Sequence, residues 1–224
     1  MKFLLAGPIL DAVNPRLPGR PHERAVAQVG DGPMVVLDLC AGTGYLGRLI
    51  AHANPLAAVT ALDASPEMLA VGRRRAAREG LSQRLSFVHG DAAALPVADA
   101  SLDLVVAAFG FHELPRTVRE RAIGEVVRTL RQTGRLIAVD LDRPRRRARL
   151  FGAYLRMVEA PHAREVLADG LSHALRRGGL EIVDESHGQG GSLLPFQIIQ
   201  ARPAREGRPA VLSVAGVTTD AGAR

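Results

Sequence analysis

The chain has 224 residues, 47% of them hydrophobic and 23% charged, enough for one well-filled core and too few for two domains of ordinary size. Its single cysteine, Cys40, excludes an internal disulfide framework, and no apolar run approaches the ~20 residues that cross a membrane. The net charge of +6 rests almost wholly on arginine, yet with no tryptophan and only two tyrosines a stacking surface for single-stranded nucleic acid is not expected.

In chain order, residues 1–33 read as a cap segment. Met1 to Leu10 mimics a secretion leader, but Gly7-Pro8 interrupts it and Asp11 follows at once, so a cytoplasmic chain is expected. Pro8, Pro15, Pro18, Gly19 and Pro21 precede a short helical pattern at 24–29. Met34-Val35-Val36-Leu37 then opens a strand that closes in Asp38-Leu39-Cys40-Ala41-Gly42-Thr43-Gly44, and a helical pattern follows over 45–53. Glycines in such a turn allow left-handed backbone angles and let the main chain lie against a ligand at the helix start.

A second strand over 59–62 ends in Asp63, after which Ser65 as N-cap and Pro66 at the first helical position begin a helix to 79. Phe87-Val88-His89-Gly90-Asp91-Ala92 reads as a third strand with its exit, and Leu102 to Ala108 as a fourth. Glu120, Ile123, Val126, Val127 and Leu130 mark a helix over 117–131, which Thr133-Gly134 ends before a fifth strand at 135–140. Helices are expected at 150–158 and 162–177, the second stopped by Gly178-Gly179, and the last strands at 180–184 and 194–201. Residues 203–224 show no period and read as a loosely attached tail. Apolar strands alternating with helices define an α/β, doubly wound domain over 34–202.

Formally, Gly42-Thr43-Gly44-Tyr45-Leu46-Gly47 satisfies the G-x-G-x-x-G of dinucleotide binders, with Asp63 where a ribose-binding acid belongs. On that pattern the chain is a nicotinamide-dependent oxidoreductase. Asp38 argues otherwise, because a carboxylate four residues ahead of Gly42 repels a pyrophosphate and favours a ligand carrying an ammonium and a sulfonium. The stretch from Asp38 to Gly44, with Asp63, Asp91 and the fourth strand in register, resembles the class I methyltransferases, which use S-adenosylmethionine (SAM). Cys40 stands where their acidic-x-Gly-x-Gly-x-Gly motif has its first glycine.

The resemblance implies a seven-stranded Rossmann-like sheet, mostly parallel with an antiparallel last strand and helices on both faces. It also implies a cofactor site of Asp38, Cys40, Ala41, Gly42, Thr43, Gly44, Asp63, Ala64, Met68, Asp91, Ala92, Ala108 and Phe109. In it Asp63 would accept the ribose hydroxyls, Asp91 would receive the adenine amino group, and the segment from Phe109 to Pro115 would border the methyl. Residues 1–33 and lid helices near 150–177, with Tyr154, Glu159 and His162, would cover the substrate.

Several subclasses are excluded. Adenine and glutamine N-methyltransferases carry Asn/Asp-Pro-Pro-Tyr/Phe after strand four, where this chain has Ala108-Phe109-Gly110-Phe111; Cys40 lies in the cofactor loop and cannot serve as a pocket nucleophile; and Lys2 is the single lysine. A small-molecule acceptor of quinone, lipid or natural-product type is therefore expected, with nucleic acid disfavoured, peripheral contact with a lipid-soluble substrate open, and the oligomeric state not given by the sequence. Phe109-Gly110-Phe111-His112-Glu113-Leu114-Pro115 resembles the ubiquinone/menaquinone C-methyltransferase branch, in which an arginine and an asparagine often stand where His112-Glu113 stands here.

His112 is the candidate general base, since an imidazole beside the methyl can deprotonate an O–H or N–H; a structural histidine across the strand-four turn is the alternative. Glu113 either pairs with Arg116 or Arg119 or faces the pocket. No metal is expected, because His89 and Asp91 lack a third ligand and Asp140 with Asp142 matches a magnesium site poorly. The arginines from Arg143 to Arg149 are either an anion-attracting patch or a solvated stretch. A SAM-binding partner subunit without catalysis is a further alternative.

Overall fold

A computed structural model describes residues 6–143, 162–190 and 194–204. Seven strands form one sheet: β1 (Met34–Leu39), β2 (Ala57–Asp63), β3 (Leu85–His89), β4 (Leu102–Ala108), β5 (Leu130–Leu141), β6 (Leu180–Gly190) and β7 (Leu194–Pro203), in the order β3-β2-β1-β4-β5-β7-β6. The first five are parallel, and β7 inserts antiparallel between β5 and β6. The chain reverses its direction of progress across the sheet between β1 and β4, and a crevice opens beyond the carboxyl ends of strands at such a switch point.

Alternation along each strand feeds two apolar layers. Leu37, Leu39, Val105 and Ala107 face the layer under α5 (Arg116–Thr129), α6 (Ala163–Asp169) and α7 (Leu171–Arg177). Val36, Val59, Ala61, Leu104 and Val106 face the layer holding α2 (Pro21–Val26), α3 (Tyr45–Ala53) and α4 (Pro66–Arg78). Ser65 caps α4 as expected, its Oγ accepting the Met68 N–H at 3.2 Å.

The observed elements depart from the sequence expectation in several places. The fifth helix stops at Thr129, whose Oγ1 bonds back to the Glu125 carbonyl at 2.8 Å, and β5 starts at Leu130. Thr133-Gly134 thus lies within β5, where a Cβ on Gly134 would come 2.9 Å from the Leu102 carbonyl oxygen; close strand approach, not helix termination, demands that glycine. The single helix expected over 162–177 is broken at Gly170, whose φ of 79° no helix sustains. β6 continues to Gly190 because β7 pairs along its length. At the amino end α1 (Ala6–Val13) is a helix the sequence reading did not foresee, and α2 starts three residues ahead of the expected 24–29. The helix expected at 150–158, with Tyr154 and Glu159, the arginines beyond Arg143, and the tail from residue 205 lie outside the described residues.

Candidate active site

The acid-terminated strands line up along one edge of the sheet. From β3 to β5 the carboxyl ends present Asp91, Asp63, Asp38, then Phe109 at the exit of β4, and Asp140 in the last turn of β5. Neighbouring strands are ~4.8 Å apart, so this row spans the length of an extended nucleoside with its substituent. All of these but Asp140 line a cavity of about 630 Å³, a size suited to a cofactor with a small substrate.

The turn after β1 is held by backbone angles and carboxylates. Cys40, Gly42 and Gly44 have φ of 54°, 55° and 65°. The Gly42 N–H donates to Asp63 Oδ2 at 2.7 Å and the Ser65 N–H to Asp63 Oδ1 at 2.8 Å, so Asp63 ties the turns after β1 and β2 together at the cavity wall. Asp38 Oδ2 accepts the Gly47 N–H at 2.8 Å, and a Cβ on Gly47 would come 2.9 Å from that oxygen. The third glycine of the dinucleotide pattern therefore packs on a carboxylate inside the fold. Burial pushes the Asp38 pKa up to about 7, with Asp63 adding to the rise and the Gly47 N–H and Arg48 opposing it.

Of the cofactor residues expected from sequence, all but Gly44 line the cavity. Gly44 instead closes the turn, its N–H donating to the Ala41 carbonyl at 2.7 Å, while the Phe87 ring fills the space where a Cβ would stand. Asp91 Oδ1 accepts the Ala93 N–H at 2.9 Å. Burial, then the carboxylates of Asp63, Asp38, Asp140 and Asp91, push the Cys40 thiol up to about 12, which leaves it a packing group beneath Gly110.

At the exit of β4, Phe109 adopts φ 56° and its N–H donates to the Val139 carbonyl at 2.7 Å. Its ring stands edge-on between two imidazoles, with centroids 5.7 Å from His22 and 6.5 Å from His112. His112 is buried in a single 3-10 turn, and its Nδ1 lies 2.5 Å from Asp140 Oδ1. The His112 N–H also donates to Asp140 Oδ2 at 3.2 Å, while its Nε2 lies 3.5 Å from Glu113 Oε1. Glu113 lines the cavity; Arg116 lies 3.1 Å from Glu120, and Arg119 donates to the Leu114 carbonyl at 2.9 Å. His162 is not among the cavity's lining residues. Among the described residues no group of three His, Cys, Asp or Glu is placed to hold a metal ion.

Sequence reasoning missed two parts of the site. One is Asp140, weighed there only as a metal ligand; the adjacency of β4 and β5 brings it to His112, and its position at the end of an apolar strand was the available signal. The other is the particular residues by which the amino-terminal segment, expected as a cap, enters the cavity: Val13, Asn14, Leu17 and His22. Asp11 on α1 fixes that segment: its Oδ1 accepts Arg48 Nη2 at 2.6 Å and the Thr43 hydroxyl at 3.1 Å, and its Oδ2 lies 2.8 Å from Arg75 Nε.

Strand order, the row of acids and the glycine turn on β1 together resemble the arrangement of class I SAM-dependent methyltransferases. Residues 36–134 match the family described as a methyltransferase domain. Within that class the sequence resembles the ubiquinone/menaquinone branch. It is 39% identical over 125 residues to the demethylmenaquinone methyltransferase of Thermus thermophilus, covering 56% of this chain and 54% of that one. It is 40% identical over 111 residues to the ubiquinone/menaquinone biosynthesis C-methyltransferase UbiE of Methylobacterium nodulans, covering 49% and 43%. The chain thus spans about half the length of the curated relatives it matches. The crystal structure of the [4+2]-cyclase SpnF shares the fold, with a TM-score of 0.69 at 20% identity over 90% of this chain and 96% of that one.

Proposed function

We propose that this protein transfers a methyl group from SAM to a neutral, apolar small molecule bearing an ionisable hydroxyl, of quinol type, with His112 as general base. The observation that carries this reading is His112, which lines the same cavity as Asp63 and Phe109 and is held from behind by the buried Asp140. SAM supplies an electrophilic methyl carbon on a sulfonium. A hydrogen on Nδ1 held by Asp140 leaves Nε2 as the basic nitrogen of His112. A hydroxyl proton taken there raises the nucleophilicity of the acceptor, and the resulting imidazolium lies between the carboxylates of Asp140 and Glu113.

The rest of the cavity supports a neutral acceptor. Its charged lining side chains, Asp38, Asp63, Glu67, Asp91 and Glu113, are all acidic, while Leu17, Leu114, Leu141 and Phe109 offer apolar contact. Phosphorylated or carboxylated acceptors would meet repulsion there. The relatives' names, which specify demethylmenaquinone and ubiquinone/menaquinone, support a quinol ring. Cytoplasmic placement with peripheral contact to a lipid-phase acceptor belongs to the same reading; among the described residues no helix is long and apolar enough to cross a membrane.

The test is incubation of the full chain with methyl-labelled SAM and a panel of reduced demethylated naphthoquinols, benzoquinols and simple phenols. Label in a quinol is the expected result. SAM binding with no label in any hydroxyl-bearing acceptor would sink the catalytic reading, and preferential binding of a nicotinamide dinucleotide would restore the oxidoreductase.

A further inference from the structure

His22 presents an unexplained group in this site. It belongs to α2 in the amino-terminal segment, is 3% exposed, lines the cavity, and has a buried Nδ1 with no hydrogen-bond partner. Leaving such an atom unpaired is costly, and native interiors do so rarely. The packing around the ring locates it. His22 stands edge-on to Tyr45, the first residue of α3, at a centroid distance of 5.0 Å, and to Phe109 at 5.7 Å. It therefore sits over the gap between the ends of β1 and β4.

The row of acids fixes what belongs in that gap. With Asp91 and Asp63 at the ends of β3 and β2 taking the adenosine, the amino-acid end of the cofactor falls beyond β1, between Asp38 and Phe109. That end carries an ammonium and a carboxylate. Asp38 suits the ammonium. For the carboxylate the cavity offers no arginine or lysine among its described lining residues; Arg48, the cation beside Tyr45, is turned to Asp11 at 2.6 Å and does not line it. A neutral donor must serve instead.

We propose that His22 binds the methionyl carboxylate of SAM, its imidazole N–H donating to a carboxylate oxygen across the β1–β4 gap. This rests on the cofactor assignment made above. Burial lowers the His22 pKa to about 4, so the ring waits as a neutral donor without adding charge to the empty pocket. The amino-terminal segment thereby becomes part of the cofactor site and not only a cover over the substrate.

Calorimetric titration of the full chain with S-adenosylhomocysteine and with 5′-methylthioadenosine, which lacks the amino-acid group, tests this. His22→Ala is expected to weaken S-adenosylhomocysteine about tenfold or more while leaving methylthioadenosine within about twofold, the loss expected of one hydrogen bond to a charged group. His22→Asn, which keeps an N–H donor, is expected to recover part of the loss. Equal weakening of both ligands would overturn the proposal, since His22 would then act only through packing, and so would unchanged affinity for S-adenosylhomocysteine. Failure of the unaltered protein to bind either ligand would instead overturn the cofactor assignment, and this proposal with it.

Discussion

Asp11 on α1 lies 2.6 Å from Arg48 on α3, both side chains almost fully buried, and the same carboxylate holds Thr43 in the glycine turn after β1 and Arg75 on α4. One acid thus pins the amino-terminal segment to the glycine turn after β1. Asp11→Ala would strand the buried guanidinium of Arg48. A loss of about 3–5 kcal/mol, read from urea unfolding, is expected, together with weaker SAM binding. Full stability in the variant would show that Arg48 finds an equal partner, with Glu79 at 3.5 Å the nearest candidate.

Asp63→Ala removes the acceptor assigned to the ribose hydroxyls and also frees the N–H groups of Gly42 and Ser65. SAM affinity should fall by roughly 1–3 kcal/mol per group left unpaired. Calorimetry is the measurement, and an unchanged dissociation constant would remove Asp63 from the site.

Gly42→Val should abolish SAM binding with the fold kept. A Cβ at this position meets only Met68 Cε, at 3.4 Å, so the protein itself has room, but φ of 55° strains any branched residue and the side chain would stand where the ligand passes. A wild-type circular-dichroism spectrum with no heat of binding is the expected pair of results.

Asp38 and His22 tilt the pH dependence of stability in opposite directions. With its pKa raised to about 7, Asp38 binds its proton more tightly folded than unfolded, so its contribution is present below about pH 4 and lost as pH rises through 7. His22, lowered to about 4, contributes stability present above about pH 6.5 and lost as pH falls through 4. In Asp38→Asn the first slope vanishes while an acceptor for the Gly47 N–H remains. The variant, without ligand, should gain on wild type as pH rises from 4 and level off above 7, by on the order of 4 kcal/mol at most. Thermal midpoints that track each other across this range would refute the assignment.

His112→Ala and Asp140→Asn should each lower single-turnover methyl transfer by something like 10²–10⁴ while SAM affinity stays nearly intact. Transfer in the unaltered enzyme should fall as pH drops through the His112 titration, and that limb should be absent from the His112→Ala profile. Parallel profiles with equal plateaus would return His112 to a purely structural part at the β4 exit.

The α/β class, the strands at 34–39, 59–62 and 102–108, the glycine turn and the acids Asp38, Asp63 and Asp91 were legible in the sequence because each is specified locally. Apolar strands announce themselves by composition, a cap by Ser65-Pro66, and a left-handed turn by glycine. The pairing of His112 with Asp140, 28 residues apart, was not legible, since it arises only when β4 and β5 lie side by side. Nor was the place of His22, which depends on Asp11 reaching across the fold to Arg48. The end of the fifth helix and the break at Gly170 were likewise settled by neighbours, where strand pairing and packing outweighed helical periodicity. Local sequence therefore determined which residues stand in the glycine turn and at the strand ends, and tertiary structure decided which side chains gather around the exit of β4, because those contacts join segments far apart in the chain.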